Sequence, residues 1–221
     1  MLGLPSDSIR GIELQKLAQQ VRLCTLCGLH ASRTNAVPGS GPADARIMIV
    51  GEAPGANEDL QGLPFVGAAG KVLDNLLAGI GLSRDQVYVT NVLKCRPPHN
   101  RDPSPEEAET CLPYLRRQFG LIRPQTVVIL GRHALERMLP GVGSISRVHG
   151  ETFERAGVQF IPCYHPAAAL HNGSLLKDLE ADFQRVKAHL DRTPAEAQPG
   201  PTPKSHEAGT DPAADIQLRL I

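Results

Sequence analysis

The chain has 221 residues, a size that suits one globular domain and is short for two. Lys plus Arg number 23 and Asp plus Glu number 23, so the formal net charge is zero; this argues against a histone-like or tail-driven polyanion binder while leaving room for a local basic groove. No run of about 18 apolar residues exists to cross a membrane. The first ten residues carry Asp7 and no apolar core of signal-peptide length, so the chain reads as cytoplasmic. Five cysteines in a reducing compartment then read as thiols or metal ligands rather than disulfides.

In chain order, Ile9, Ile12, Leu14, Leu17, Val21 and Leu23 have a loosely helical spacing over about residues 8–23. Arg46 to Val50 is a short apolar run closed by Gly51, as expected of a buried strand. Val66 to Ile80 reads as a helix with Val72, Leu73, Leu76, Leu77 and Ile80 on one face. A second strand follows at Val87 to Asn91. Ser104 is placed to cap the next helix, with Pro105 at its first position and Glu107 at its third. Thr126 to Leu130 is a third strand, with a helix over about 132–139, and Val158 to Pro162 a fourth, with a closing helix from Ser174 to Leu190. Strands alternating with helices predict an α/β three-layer sandwich around a four-stranded parallel sheet. Ligands in such sheets sit beyond the carboxyl ends of the strands. That rule singles out Gly51-Glu52, Asn91, Gly131-Arg132 and Tyr164-His165.

Gly51-Glu52-Ala53-Pro54-Gly55 leaves the first strand in a rigid turn where backbone can approach a ligand closely. It is not a phosphate loop, since no Gly-Lys-Ser/Thr follows. Glu52 is free to bind a ligand, orient water or hold a neighbouring loop. Phe65, set among glycines, is either a core anchor or a face on which a planar base stacks. Asn91 has donors and an acceptor suited to a pyrimidine edge, or to capping a loop. His165, fixed by Pro166, faces the same crevice. Cys24 and Cys27 are a two-residue-spaced pair, whereas Cys95 and Cys111 are split. Four thiolates suit zinc or an iron–sulfur cluster, with unrelated thiols a third reading. Cys163 reads as a buried structural thiol.

Several stretches together resemble the family 4 uracil-DNA glycosylases. They are Gly51 to Gly55, Glu58-Asp59, Gly62 to Gly67 with Gly70, Thr90 to Pro98 with Asn100 to Pro103, Leu130 to Ala134, and His165 to Ala168, with cysteines at 24, 27, 95 and 111. The resemblance covers roughly residues 10–190. It implies a 4Fe-4S cluster on Cys24, Cys27, Cys95 and Cys111, structural in role, tying the N-terminal helix to the loop that bears Arg96 and Arg101. It implies hydrolysis of the glycosidic bond of a flipped-out deoxyuridine. Phe65 would stack on the base, Asn91 would pair with its O4 and N3 edge, and Gly51, Glu52, Ala53 and Gly55 would line the pocket. His165 would stabilise the charge that collects on O2. Related families carry an acidic residue one place later in the first turn, where this chain has Ala53. Glu52 is therefore the expected water-positioning or pocket-organising residue, and electrostatics rank above general-base work. DNA contacts are expected from Lys94, Arg96, Asn100 and Arg101, with Leu170 and His171 as candidates for the wedge that fills the vacated stack. A related branch traps the sugar on a histidine in the loop that here holds His99, but its longer basic insertion is absent from this chain.

Residues 1–192 therefore read as one catalytic domain, expected to be monomeric. Residues 193–221 read as a disordered tail whose end, Gln217, Leu218, Leu220 and Ile221, resembles the peptide by which bacterial repair proteins bind the sliding clamp. The competing readings are a uracil-DNA binder or covalent trap without turnover, and a zinc-stabilised nucleotide-binding module.

Overall fold

The computed structural model describes residues 6–192. The expected tail and its clamp-like end lie outside the described residues.

Five strands form one sheet: β1 (Ile47–Gly51), β2 (Val87–Asn91), β3 (Thr126–Leu130), β4 (Phe153–Arg155) and β5 (Val158–Cys163), in the order β2-β1-β3-β5-β4. β2, β1, β3 and β5 are parallel, as the alternation of strands and helices predicts. Their side chains divide between two cores. Met48, Val50, Tyr88, Val127, Ile129 and Phe160 face α1 (Ser6–Leu23) and α4 (Pro105–Ile122), meeting Leu14, Val21, Leu115 and Phe119. Ile47, Ile49, Val87, Val89, Val128 and Ile161 face α3 (Ala68–Gly79) and α8 (Ser174–Arg192), meeting Leu73, Leu77, Leu179 and Phe183. Burial on both faces explains why these strands show continuous apolar runs rather than alternation.

The fifth strand, absent from the sequence reading, pairs antiparallel with β5 at the sheet edge. It turns through Ala156 and Gly157, both with positive φ (46° and 78°), the backbone of a two-residue hairpin. The turn lacks the Asn-Gly or Asp-Gly signature, and the strand is three half-exposed residues bearing Glu154 and Arg155, a composition that protects an edge but hides a strand.

Helix boundaries follow local chemistry. Ser104 accepts from the Glu107 amide (3.1 Å) while the Glu107 carboxylate accepts from the Ser104 amide (2.9 Å), the reciprocal cap expected at the start of α4. α3 begins at Ala68, two residues later than expected, because the amides of Val66 and Gly67 are taken by the Glu58 carboxylate (2.8 and 2.9 Å). α2 (Ala56–Gln61), α5 (Arg132–Met138), α6 (Ile145–Val148) and α7 (Pro166–His171) complete the layers. None of the described helices is long and apolar enough to cross a membrane.

Candidate active site

A cavity of about 320 Å³ opens at the carboxyl ends of β1, β2 and β5. Glu52, Ala53, Pro54 and Gly55 line it from the first turn, and Phe65, Asn91 and His165 from three further segments. The residues expected to bind the base are thus brought to one place, except that Gly51 stands behind the lining as the register partner of Asn91 and a close neighbour of Phe65. A Cβ on Gly51 would run into Asn91 Oδ1 and lie 2.7 Å from Phe65 Cζ. Glycine is required here for close approach rather than for backbone freedom. Gly51→Ala is expected to lower activity on the order of 100-fold by displacing both side chains, while secondary structure by circular dichroism is retained. An unchanged rate would show that this position is not part of the working site.

Asn91 is 2% exposed and its Oδ1 has no hydrogen-bond partner. Buried polar atoms are nearly always satisfied, so an orphan acceptor at the wall of a cavity marks a place where a ligand donor belongs. Phe65 has φ 53°, a left-handed conformation that a bulky side chain rarely adopts. Two side chains and a glycine hold it. Glu58 binds the two amides that follow, Arg84 donates to the Phe65 carbonyl (2.8 Å), and Gly70 leaves room for that carbonyl where any Cβ would collide with it. Spacing singled out neither Glu58 nor Arg84 as a brace of Phe65; only the Glu58-Asp59 pair within the resembling motifs pointed to one of them.

His165 packs its ring on Phe65, with centroids 5.6 Å apart. Its Nδ1 accepts from the Ala167 amide (3.1 Å), which leaves the proton of the neutral ring on Nε2. Burial lowers its pKa to about 4 despite the opposing charge of Glu58, so the ring is neutral near pH 7.

Glu52 lies at the border of the cavity and of a smaller neighbouring recess lined by Leu93, Pro103 and His133. His133 Nε2 is 3.9 Å from Glu52 and 3.3 Å from Asp102, while Arg132 holds Asp102 at 2.9 Å. Burial raises the Glu52 pKa, opposed by the adjacent His133 and reinforced by Asp102. His133 and Asp102 were missed because they lie far from Glu52 in sequence and meet it only because β2 and β3, which precede them in the chain, flank β1 in the sheet.

Cys24, Cys27, Cys95 and Cys111 line a second, separate cavity with Arg33 and Tyr114. Arg33 donates to Cys95 Sγ (3.0 Å) and the Lys94 amide to Cys111 Sγ (3.2 Å). Burial pushes the Cys111 thiol up to about 11. Cys163 is fully buried away from them, as expected.

The expected DNA-facing residues divide. Asn100 and Arg101 stand at the cavity rim. Arg96 donates to Asn100 Oδ1 (2.7 Å), and Arg101 makes a paired contact with Glu107 (2.6 and 2.8 Å), so part of its charge is already matched. Leu170 and His171 are exposed at the end of α7, which starts beside His165. Lys94 corrects the sequence reading. It is 1% exposed, and its ammonium donates to Thr90 Oγ1, the Asn91 carbonyl and Gln118 Oε1, so it is not available to phosphate. His99 is exposed and does not line the cavity.

Residues 38–190 match the family described as the Uracil DNA glycosylase superfamily. The type-4 uracil-DNA glycosylase of Archaeoglobus fulgidus is 50% identical over 181 residues, covering 78% of this chain and 91% of the relative. That of Sulfurisphaera tokodaii is 49% identical over 183 residues, covering 79% and 83%. The chain belongs to the type-4 uracil-DNA glycosylases. The type-5 enzyme of Pyrobaculum aerophilum is more distant, at 37% over 170 residues.

Proposed function

We propose that this type-4 uracil-DNA glycosylase hydrolyses the N-glycosidic bond of deoxyuridine flipped out of DNA, leaving an abasic site. The observation that carries the reading is the orphan Asn91 Oδ1 in the wall of the cavity, beside the Phe65 ring and the Nε2–H of a neutral His165. Uracil N3–H supplies the missing donor, and the Asn91 amide N–H₂ donates to O4. Cytosine presents an acceptor at N3 and a donor at N4, which inverts both contacts. Phe65 offers its face to the base. As the glycosidic bond breaks, negative charge gathers on O2, and His165 Nε2–H is the fixed donor that stabilises it. The sugar becomes cationic and needs little nucleophilic help, so Glu52 holds the attacking water and offsets positive charge rather than serving as a strong base. Asn100, Arg101 and Leu170 contact the distorted strand around the cavity.

The four cysteines fit a 4Fe-4S cluster. They converge on one cavity with Arg33 and Tyr114, and together offer the four thiolate donors that such a cluster takes. Bound there, the cluster supplies cross-links between α1, the Cys95 loop and α4. The reaction itself runs on the other cavity.

The test is release of free uracil from a labelled oligonucleotide by anaerobically purified protein, with iron and acid-labile sulfide assayed on the same sample. Many turnovers per chain and about four of each element are expected. Cys111→Ser is expected to lose most of the iron and to melt at lower temperature. A stoichiometric protein–DNA crosslink would identify a trap instead, and one zinc without sulfide would remove the cluster assignment.

A further inference from the structure

Lys94 is the most deeply buried cation of the described chain that the reaction scheme leaves without a task. Its three ammonium hydrogens meet three acceptors: Asn91 O at 2.6 Å, Thr90 Oγ1 at 2.7 Å and Gln118 Oε1 at 2.7 Å. Each of these residues is itself buried, at 2%, 0% and 1% exposure. Gln118 comes from α4 and is fixed in turn, its amide donating to the Pro38 carbonyl and the Tyr88 hydroxyl. The cage is therefore stoichiometric and spans two elements, the end of β2 and the middle of α4.

Asn91 is the last residue of β2, an edge strand of the sheet. On the inner side the chain is held by the Val92 amide bonded to the Gly51 carbonyl (2.9 Å) and the Leu93 amide bonded to the Glu52 carbonyl (2.9 Å). On the outer side no strand continues past Asn91, and its carbonyl accepts the Lys94 ammonium. The main chain of Lys94 is anchored as well, its carbonyl accepting from Val37 (2.7 Å) and its amide donating to Cys111 Sγ.

We infer that Lys94 is a positioning residue for base recognition: by gripping the Asn91 carbonyl it fixes the peptide from which the Asn91 carboxamide projects, and so sets the hydrogen-bonding edge offered to uracil. This rests on the glycosylase reading and on Asn91 as the group that reads the base. A flexible asparagine would satisfy its own Oδ1 by turning toward a nearby donor. The bond to Lys94 restrains the backbone so that the acceptor stays unpartnered until a base arrives. Lysine suits the task because one ammonium meets three converging acceptors, where a planar guanidinium or an amide would leave at least one unmatched.

The test is a double-mutant cycle between Lys94→Met and Asn91→Ala, read as single-turnover uracil release, with affinity for uncleavable 2′-fluoro-deoxyuridine DNA and iron content measured alongside. Lys94→Met alone is expected to slow release about 10- to 100-fold with iron content unchanged. In the Asn91→Ala background it is expected to slow release less than about twofold further, because a residue that acts through Asn91 has nothing left to position. Equal losses in both backgrounds would make Lys94 a general support of the fold and overturn the inference, as would a full rate in Lys94→Met. If Lys94→Met does not fold, Gln118→Leu removes one wall of the cage and is carried through the same cycle with the same two outcomes. Failure of the unsubstituted chain to release uracil would instead overturn the glycosylase reading, and this inference with it.

Discussion

Asn91→Ala is expected to lower single-turnover uracil release on the order of 10³-fold without lowering the melting temperature. The two halves of this expectation come from one atom. Asn91 Oδ1 is buried without a partner in the free protein, so the folded state gains nothing from it and carries its desolvation. Removing the carboxamide removes that burden, and stability holds or rises. The flipped base, in contrast, loses its partners at N3 and O4 in a cavity with few other polar groups to replace them. Two unmatched buried polar groups cost about 1–3 kcal/mol each, which multiplies to the stated loss. Single-turnover kinetics and thermal melting on one preparation check both halves. A melting temperature lowered by several degrees with a modest loss of rate would reassign Asn91 to holding the β2 end together.

His165→Leu is expected to reduce the chemical step by about 10² to 10³, the scale of losing one fixed donor to a developing oxyanion. The pH dependence separates this role from that of a charged histidine. The His165 pKa is depressed to about 4, so the ring is neutral across the working range, and falling pH does not charge it until about that value. Uracil release is therefore expected to show no limb near pH 6.5. An acid limb set by Glu52, whose pKa is raised, is expected instead, and it should vanish in Glu52→Gln. An enzyme relying on an imidazolium would lose rate as pH rises through about 6 to 7. The stability sign follows from the same shift. Between about 6.5 and about 4 the unfolded chain binds a proton on His165 that the folded chain refuses, so stability falls as pH falls through that window. The loss should be smaller in His165→Leu, measurable by melting from pH 7 to 4.5.

The strand ends were legible because fully buried parallel strands leave uninterrupted apolar runs, and ligands sit beyond where such runs stop. Of the residues that rule singled out, Glu52, Asn91 and His165 line one cavity, whereas Gly131 and Arg132 do not. The cysteines were legible as a set of four but not as zinc or iron, since spacing along the chain does not encode the distance between sulfurs. Lys94 was misread because a lysine among Asn91, Cys95 and Arg96 looks like part of a basic loop. Its burial depends on Gln118, in a helix much later in the chain, and no local pattern announces that partner. Arg101 was half legible: its position at the rim was right, but Glu107 takes up two of its donors. Arg84 was invisible, and Glu58 was visible only as part of a motif, because both brace backbone atoms around Phe65, and backbone atoms carry no sequence.

The bracing of Phe65 bears on how damaged bases are chosen. A wall held in a left-handed backbone by Glu58, Arg84 and Gly70 is set in shape before any base arrives. If that wall takes a flipped uracil, as proposed, the cost of leaving the stack falls on the duplex, and mispaired uracil is expected to be released faster than uracil paired with adenine. Preference for one opposing base would then be inherited from the opening of the base pair.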